Sequence, residues 1–139
     1  MTDTATPDLV LRGERVLLRR LRDADRPRMR EILADPEVRR WWGSEPLEKD
    51  VDDLFDDDAV GFAIEVDGEV VGWIQYAEEN EPDYRHAGVD LALGEGARGR
   101  GLGPDAIRAI ARYLFDERGH HRLTIDPAML VQWDQLNPT

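Results

Sequence analysis

Arg98-Gly99-Arg100-Gly101-Leu102-Gly103 is the stretch whose reading decides the fold. Three glycines in six residues separate an apolar run, Gly88 to Leu93, from a helical pattern that begins at Pro104. Glycine reaches backbone conformations closed to other residues and has no Cβ to shield the chain. A turn of bare N–H groups opening a helix holds phosphate or diphosphate, because the amides converge and the helix dipole favours negative charge. Arg98 and Arg100 add positive charge to the same turn. The plainer alternative is an ordinary strand-to-helix connection.

Working outward, Pro104 to Phe115 reads as a helix with Ile107, Ile110, Ala111, Leu114 and Phe115 along one side, and Gly119 is its stop signal. Arg122 to Asp126 then reads as a strand closed by Pro127. Upstream, Phe62 to Val66 and Val70 to Tyr76 flank Asp67-Gly68, the signature of a hairpin with a two-residue type I′ turn. Glu78 to Arg85 reads as a polar loop. Arg15 to Leu21 is the first expected strand, and Asp23 is expected to cap a helix carrying Met29, Ile32 and Leu33. Asp35-Pro36 ends that helix. A short helical piece then runs through Val38 to Trp41-Trp42-Gly43, and Leu47 to Phe55 forms a strongly acidic helix. The expected order is β, α, α, β, β, β, α, β.

At 139 residues the chain is one domain with room for a real core. No apolar run approaches the ~18 residues of a membrane span, and Met1 to Asp8 lacks a signal-peptide core, so a cytoplasmic location and no membrane partner are expected. The absence of cysteine excludes disulfides, thiolate metal sites and a cysteine nucleophile. His120 and His121 have no further ligand at metal spacing and read as surface or structural, so no metal is expected. A net charge of −12 argues against nucleic acid and suits a cationic partner, although acidity also serves solubility alone. Lys49 is the only lysine, which argues against Schiff-base chemistry.

The element order with the glycine turn before the long helix resembles the GNAT superfamily of N-acetyltransferases, whose diphosphate loop reads Gln/Arg-x-x-Gly-x-Gly/Ala. Within it, Trp41-Trp42-Gly43, Gly88-Val89-Asp90, Gly101-Leu102-Gly103 and Asp126-Pro127-Ala128 are most similar to the aminoglycoside 6′-N-acetyltransferase group. The resemblance implies an α/β (α+β) fold with a mixed, mostly antiparallel sheet flanked by helices, and acetyl-CoA as co-substrate. It implies that Arg98, Gly99, Arg100, Gly101, Leu102 and Gly103 hold the diphosphate, while Leu91, Ala92 and Leu93 offer backbone groups to the pantetheine arm. Asp90 is implied as the catalytic carboxylate, with Asp126, Trp41, Trp42 and Gln75 around a small cationic amine. Each has a plainer alternative: Asp90 as a half-exposed strand residue, Asp126 as a turn former, and the tryptophans as core. Leu21 to Asp25 and Asp35 to Val38 also look like the N-terminal acetylases of ribosomal proteins, making a protein N-terminus the alternative acceptor.

The expected organisation is a loose tail over 1–11, the acetyltransferase domain over 12–128, and a tail over 129–139 unlike the family. After Ala128 the family continues with an asparagine, a tyrosine-bearing helix and two closing strands, roughly 30 residues. Here Met129 to Thr139 replaces them, with Val131 at the asparagine position. Two expectations follow from a C-terminally truncated fold: an open sheet edge covered by a second copy as a homodimer, or a non-catalytic remnant that still binds acyl-CoA.

Overall fold

The computed structural model describes residues 8–41, 46–56, 59–83 and 85–125, with Trp41 described by its backbone alone. In order the chain forms β1 (Val10–Arg12), β2 (Leu17–Arg20), a 3-10 turn (Asp23–Asp25), α1 (Arg26–Ala34), α2 (Pro36–Trp41) and α3 (Leu47–Leu54). It continues with β3 (Val60–Val66), β4 (Glu69–Glu79), β5 (His86–Leu93), α4 (Leu102–Asp116) and β6 (Leu123–Ile125). The strands lie in sequence order in one six-stranded sheet. Every pairing is antiparallel except β5 with β6. The mixed α/β fold with a mostly antiparallel sheet is therefore the one expected.

Local chemistry accounts for most of the elements. Asp67 and Gly68 take φ values of 53° and 82°, the left-handed pair that a tight hairpin turn needs. Side chains alternate between the sheet's two faces. Leu18, Phe62, Ile64, Ile74, Tyr76, Val89 and Leu91 meet α4 on one face, through Ile107, Ile110 and Leu114. Trp73 and Ala92 point the other way and pack with Met29, Ile32 and Leu33 of α1 and Val51 and Leu54 of α3. Both faces of the central strands are thus covered, which is why β3 and β5 read as nearly unbroken apolar runs.

Four boundaries depart from the sequence reading. Val10 and Leu11, within the stretch expected to be a loose tail, belong to the sheet and pair with Arg19 and Leu18. A three-residue edge strand with one buried apolar side chain is too short to show alternation. β4 runs on through Glu79, taking Glu78 out of the expected loop and into the ladder opposite Ala87. Asp25, not Asp23, stands at the N-cap of α1, and its carboxylate makes no cap bond to that helix but accepts the Arg22 N–H at 2.8 Å, closing the 3-10 turn before it. Arg19 holds Asp25 from the other side at 2.8 Å, a tertiary contact that selects it. α4 begins at Leu102, two residues before Pro104.

Candidate functional site

The glycine turn expected to hold a diphosphate is built where β5 ends. Gly94 N–H donates to the Val71 carbonyl at 2.7 Å, and Ala97 N–H to the Gly94 carbonyl at 3.1 Å, which turns the chain off the sheet. Gly96, Gly99 and Gly101 then take φ values of 86°, 75° and 78°, so each glycine is used for a conformation other residues rarely adopt. The Asp105 N–H donates back to the Gly101 carbonyl at 3.2 Å. Pro104 has no N–H, so the amides of Leu102 and Gly103 stand ahead of the helical ladder, where a helix N-terminus is unsatisfied.

That turn faces open space. A Cβ at Gly96 or Gly99 would meet nothing within 4 Å, and one at Gly101 would meet only the Arg15 guanidinium, at 3.9 Å. Gly103 instead packs against the Leu93 and Leu91 side chains at 3.7 and 3.8 Å, seating the start of α4 on β5. Leu102 is fully buried and anchors the start of α4 in the core. The turn therefore leaves room for a ligand beside Gly96, Gly99 and Gly101.

The arginines of the loop divide. Arg98 donates to the Leu93 carbonyl at 3.1 Å and to the Asp35 carboxylate at 2.7 Å, tying the loop to the end of α1. Burial raises the Asp35 carboxyl, but the Glu37 amide and Arg98 outweigh it and hold it below the usual carboxylate range. Arg100 is exposed and, among the described residues, reaches only the Gly96 carbonyl, at 3.4 Å.

Beneath the loop sits a feature the sequence reading missed. Asp105, in the first turn of α4, accepts the N–H groups of Glu14, Arg15 and Val16 at 2.8, 2.8 and 3.0 Å. Burial pushes its carboxyl up, but these three amides pull it down further, and the net position is below the ordinary value. Gly13 makes the approach possible, since a Cβ there would fall 2.6 Å from the Asp105 carboxylate. The only sequence signals were a glycine before Glu14 and an acid in the first turn of a helix.

The other half of the site lies along β5. Ala87, Gly88 and Val89 pair with Leu123, Thr124 and Ile125 of β6. Beyond Val89 the outer edge of β5, from Asp90 to Leu93, has no ladder partner among the described residues. Leu91, Ala92 and Leu93 are buried, with their side chains divided between the two cores. Asp90 is half-buried and faces the same side as Trp73 and Ala92. Gln75 lies directly opposite it across the β4–β5 ladder, so the structure brings these two predicted residues together. Trp41 is the last residue of α2, and its side chain lies outside the described residues, as do Trp42 and Asp126.

His120 is buried, with Nε2 2.6 Å from the Glu78 carboxylate, which Arg118 also holds at 2.8 Å. This cluster is at the start of β5, away from the loop, in keeping with a structural histidine. Among the described residues no helix is long and apolar enough to cross a membrane.

Residues 15–129 match the Acetyltransferase (GNAT) domain, and the chain belongs to that family. It is an N-acetyltransferase with acetyl-CoA as co-substrate. Its fold is similar to an acetyltransferase from Agrobacterium tumefaciens str. C58, with TM-score 0.74 and 23% identity over 100% of this chain and 88% of that one. It is also similar to AAC(6')-Ib in complex with paromomycin and acetyl-CoA, at TM-score 0.71 and 23% identity over 88% and 82%. A ribosomal-protein-alanine N-acetyltransferase from Brucella melitensis biovar Abortus 2308 aligns at TM-score 0.69 and 22% identity over 89% and 92%. Among curated protein sequences none matches.

Proposed function

We propose that the chain acetylates an amine of an aminoglycoside-like polycation, binding acetyl-CoA through the 98–103 loop and the C-terminal half of β5. The observation that carries this reading is the placement of Asp90 directly opposite Gln75 across the β4–β5 ladder, on the strand that leads into the glycine turn. Acetyl-CoA supplies an activated acyl group as a thioester. The chain's own part is to bind it, bring the amine to it and take the amine's proton.

The amides of Gly99 to Gly103 hold the diphosphate without side-chain interference, and the backbone of Leu91 and Ala92 receives the pantetheine amides. A backbone N–H of this strand, aimed at the thioester oxygen, stabilises the negative charge that develops there. The acceptor arrives as an ammonium and must lose a proton before it attacks, and the Asp90 carboxylate attracts and orients it and accepts that proton. Gln75, opposite, has an amide to position the acceptor. Trp41, Trp42 and Asp126 complete the acceptor side of this reading. An acceptor bearing several ammonium groups suits a chain with a net charge of −12, and AAC(6')-Ib is a structural neighbour described with paromomycin.

The second reading, a protein N-terminus as acceptor, draws on the Brucella neighbour at nearly the same identity. Thiol release from acetyl-CoA, with a kanamycin-type amine against N-terminal alanine and serine peptides, separates the two. Turnover of the polycation supports the first reading. Turnover of peptide alone overturns it.

A further inference from the structure

We propose that Arg15, on the β1–β2 turn, is a contact for the diphosphate of acetyl-CoA, and that Asp105 is the positioning residue that holds it there. The inference rests on the family's use of acetyl-CoA and adds to the site two residues that lie outside the glycine motif.

Three observations converge. The Arg15 guanidinium is the nearest group to the open side of Gly101, at 3.9 Å from the position a Cβ would take. It is exposed, and among the described residues no carboxylate pairs with it. Arg19, Arg26, Arg30, Arg39, Arg98 and Arg118 all hold acids, whereas Arg15, like Arg100 of the loop itself, pairs with none among the described residues. An arginine left without an acid beside a ring of bare amides is a charge available to an anion.

The third observation is why Arg15 stands there. β1 and β2 lie at the far side of the sheet from β5, and nothing in the strand order brings their turn to the loop. Asp105 does so, by taking the three successive amides of Glu14, Arg15 and Val16 onto the first turn of α4. Its charge is spent on those amides, one of them Arg15's own, which ties the β1–β2 turn to the start of α4 beside the loop. Arg98, inside the motif, is by contrast committed to Asp35 and the Leu93 carbonyl. Arg15 therefore does for the diphosphate what the motif's own first arginine is placed to do.

The test is calorimetric titration of the full chain with acetyl-CoA and with its 3′-dephospho analogue, at low salt. Arg15→Met should weaken both ligands about tenfold, the value of a charge-assisted hydrogen bond, and flatten the salt dependence of binding. Arg122→Met removes the same charge at the opposite end of β5 and should change neither affinity. Asp105→Asn should weaken binding in the wild-type background and add nothing in the Arg15→Met background, a non-additivity that general destabilisation does not produce. Wild-type affinity in Arg15→Met overturns the proposal, as does a loss confined to the 3′-phosphorylated ligand. Additive effects of the two substitutions overturn the role of Asp105. Failure of the unaltered chain to bind either ligand strikes at the acetyl-CoA assignment itself, and so is told apart.

Discussion

Replacing Gly101 by glutamate and, separately, by glutamine isolates the electrostatic role of the loop. Both substitutions force a side chain into a φ of 78°, which costs roughly 1–2 kcal/mol in the left-handed region. Neither meets a steric wall, because the nearest atom to the new Cβ is Arg15 Nη1 at 3.9 Å. The two variants should therefore lose the same stability, a melting-temperature drop of about 3–8 °C. Only the glutamate adds charge. A carboxylate roughly 5 Å from a phosphate oxygen, at an effective dielectric of about 20, costs about 3 kcal/mol. Acetyl-CoA should then bind the glutamate variant about 100-fold more weakly than the glutamine variant. Titration calorimetry reads the difference, and raising the salt should shrink it. Equal affinities for the two variants, at equal stability, would refute the placement of the diphosphate at this turn.

Gly72→Ala tests the seat of β5. Its Cβ would fall 2.4 Å from the Ala92 carbonyl oxygen and 3.1 Å from the Leu93 Cα, backbone atoms that give way only if the strand moves. We expect about 1–3 kcal/mol of destabilisation in urea unfolding and a raised KM for acetyl-CoA, and a wild-type KM would show the edge of β5 to be dispensable. Asp90→Asn should lower kcat about 100-fold or more while acetyl-CoA affinity, by titration, stays near wild type; unchanged kcat would remove Asp90 from the reaction. Acid stability follows from carboxylates held low in the folded state. Arg19 pulls Asp25 down, and amides outweigh burial at Asp105. Such groups contribute fully above the unfolded value of about 4 and lose that contribution as pH falls through their lower folded values. The urea midpoint should be flat above about pH 5 and fall below about pH 4, and Asp25→Asn should be less stable at neutral pH with a shallower acid limb.

What could be seen in the chain was what neighbours in sequence determine. The Asp67-Gly68 hairpin, the spacing of Met29, Ile32 and Leu33, and the glycine turn before α4 are local signals, and each landed within a few residues of its element. The juxtaposition of Gln75 with Asp90 was half visible, since a hairpin partner and the next strand tend to lie side by side. The Asp105 contacts were not visible, because they join residues 89 to 91 positions apart through backbone amides that carry no residue identity. The occupation of Arg98 by Asp35, 63 positions away, was hidden for the same reason. Asp23 and Asp25 look alike in the sequence, and what separates them is the contact of Asp25 with Arg19 and with the Arg22 amide.

Arginine takes nearly all the basic roles in these ion pairs, and the sole lysine, Lys49, is paired with Asp53 along α3 at 3.3 Å. A guanidinium keeps its proton at any physiological pH and is no acyl acceptor, whereas an ε-amine is one. The catalyst is thus sheathed in cations that its own reagent does not modify. In a purified reaction, Lys49 is the only lysine side chain on which self-acetylation can register as background.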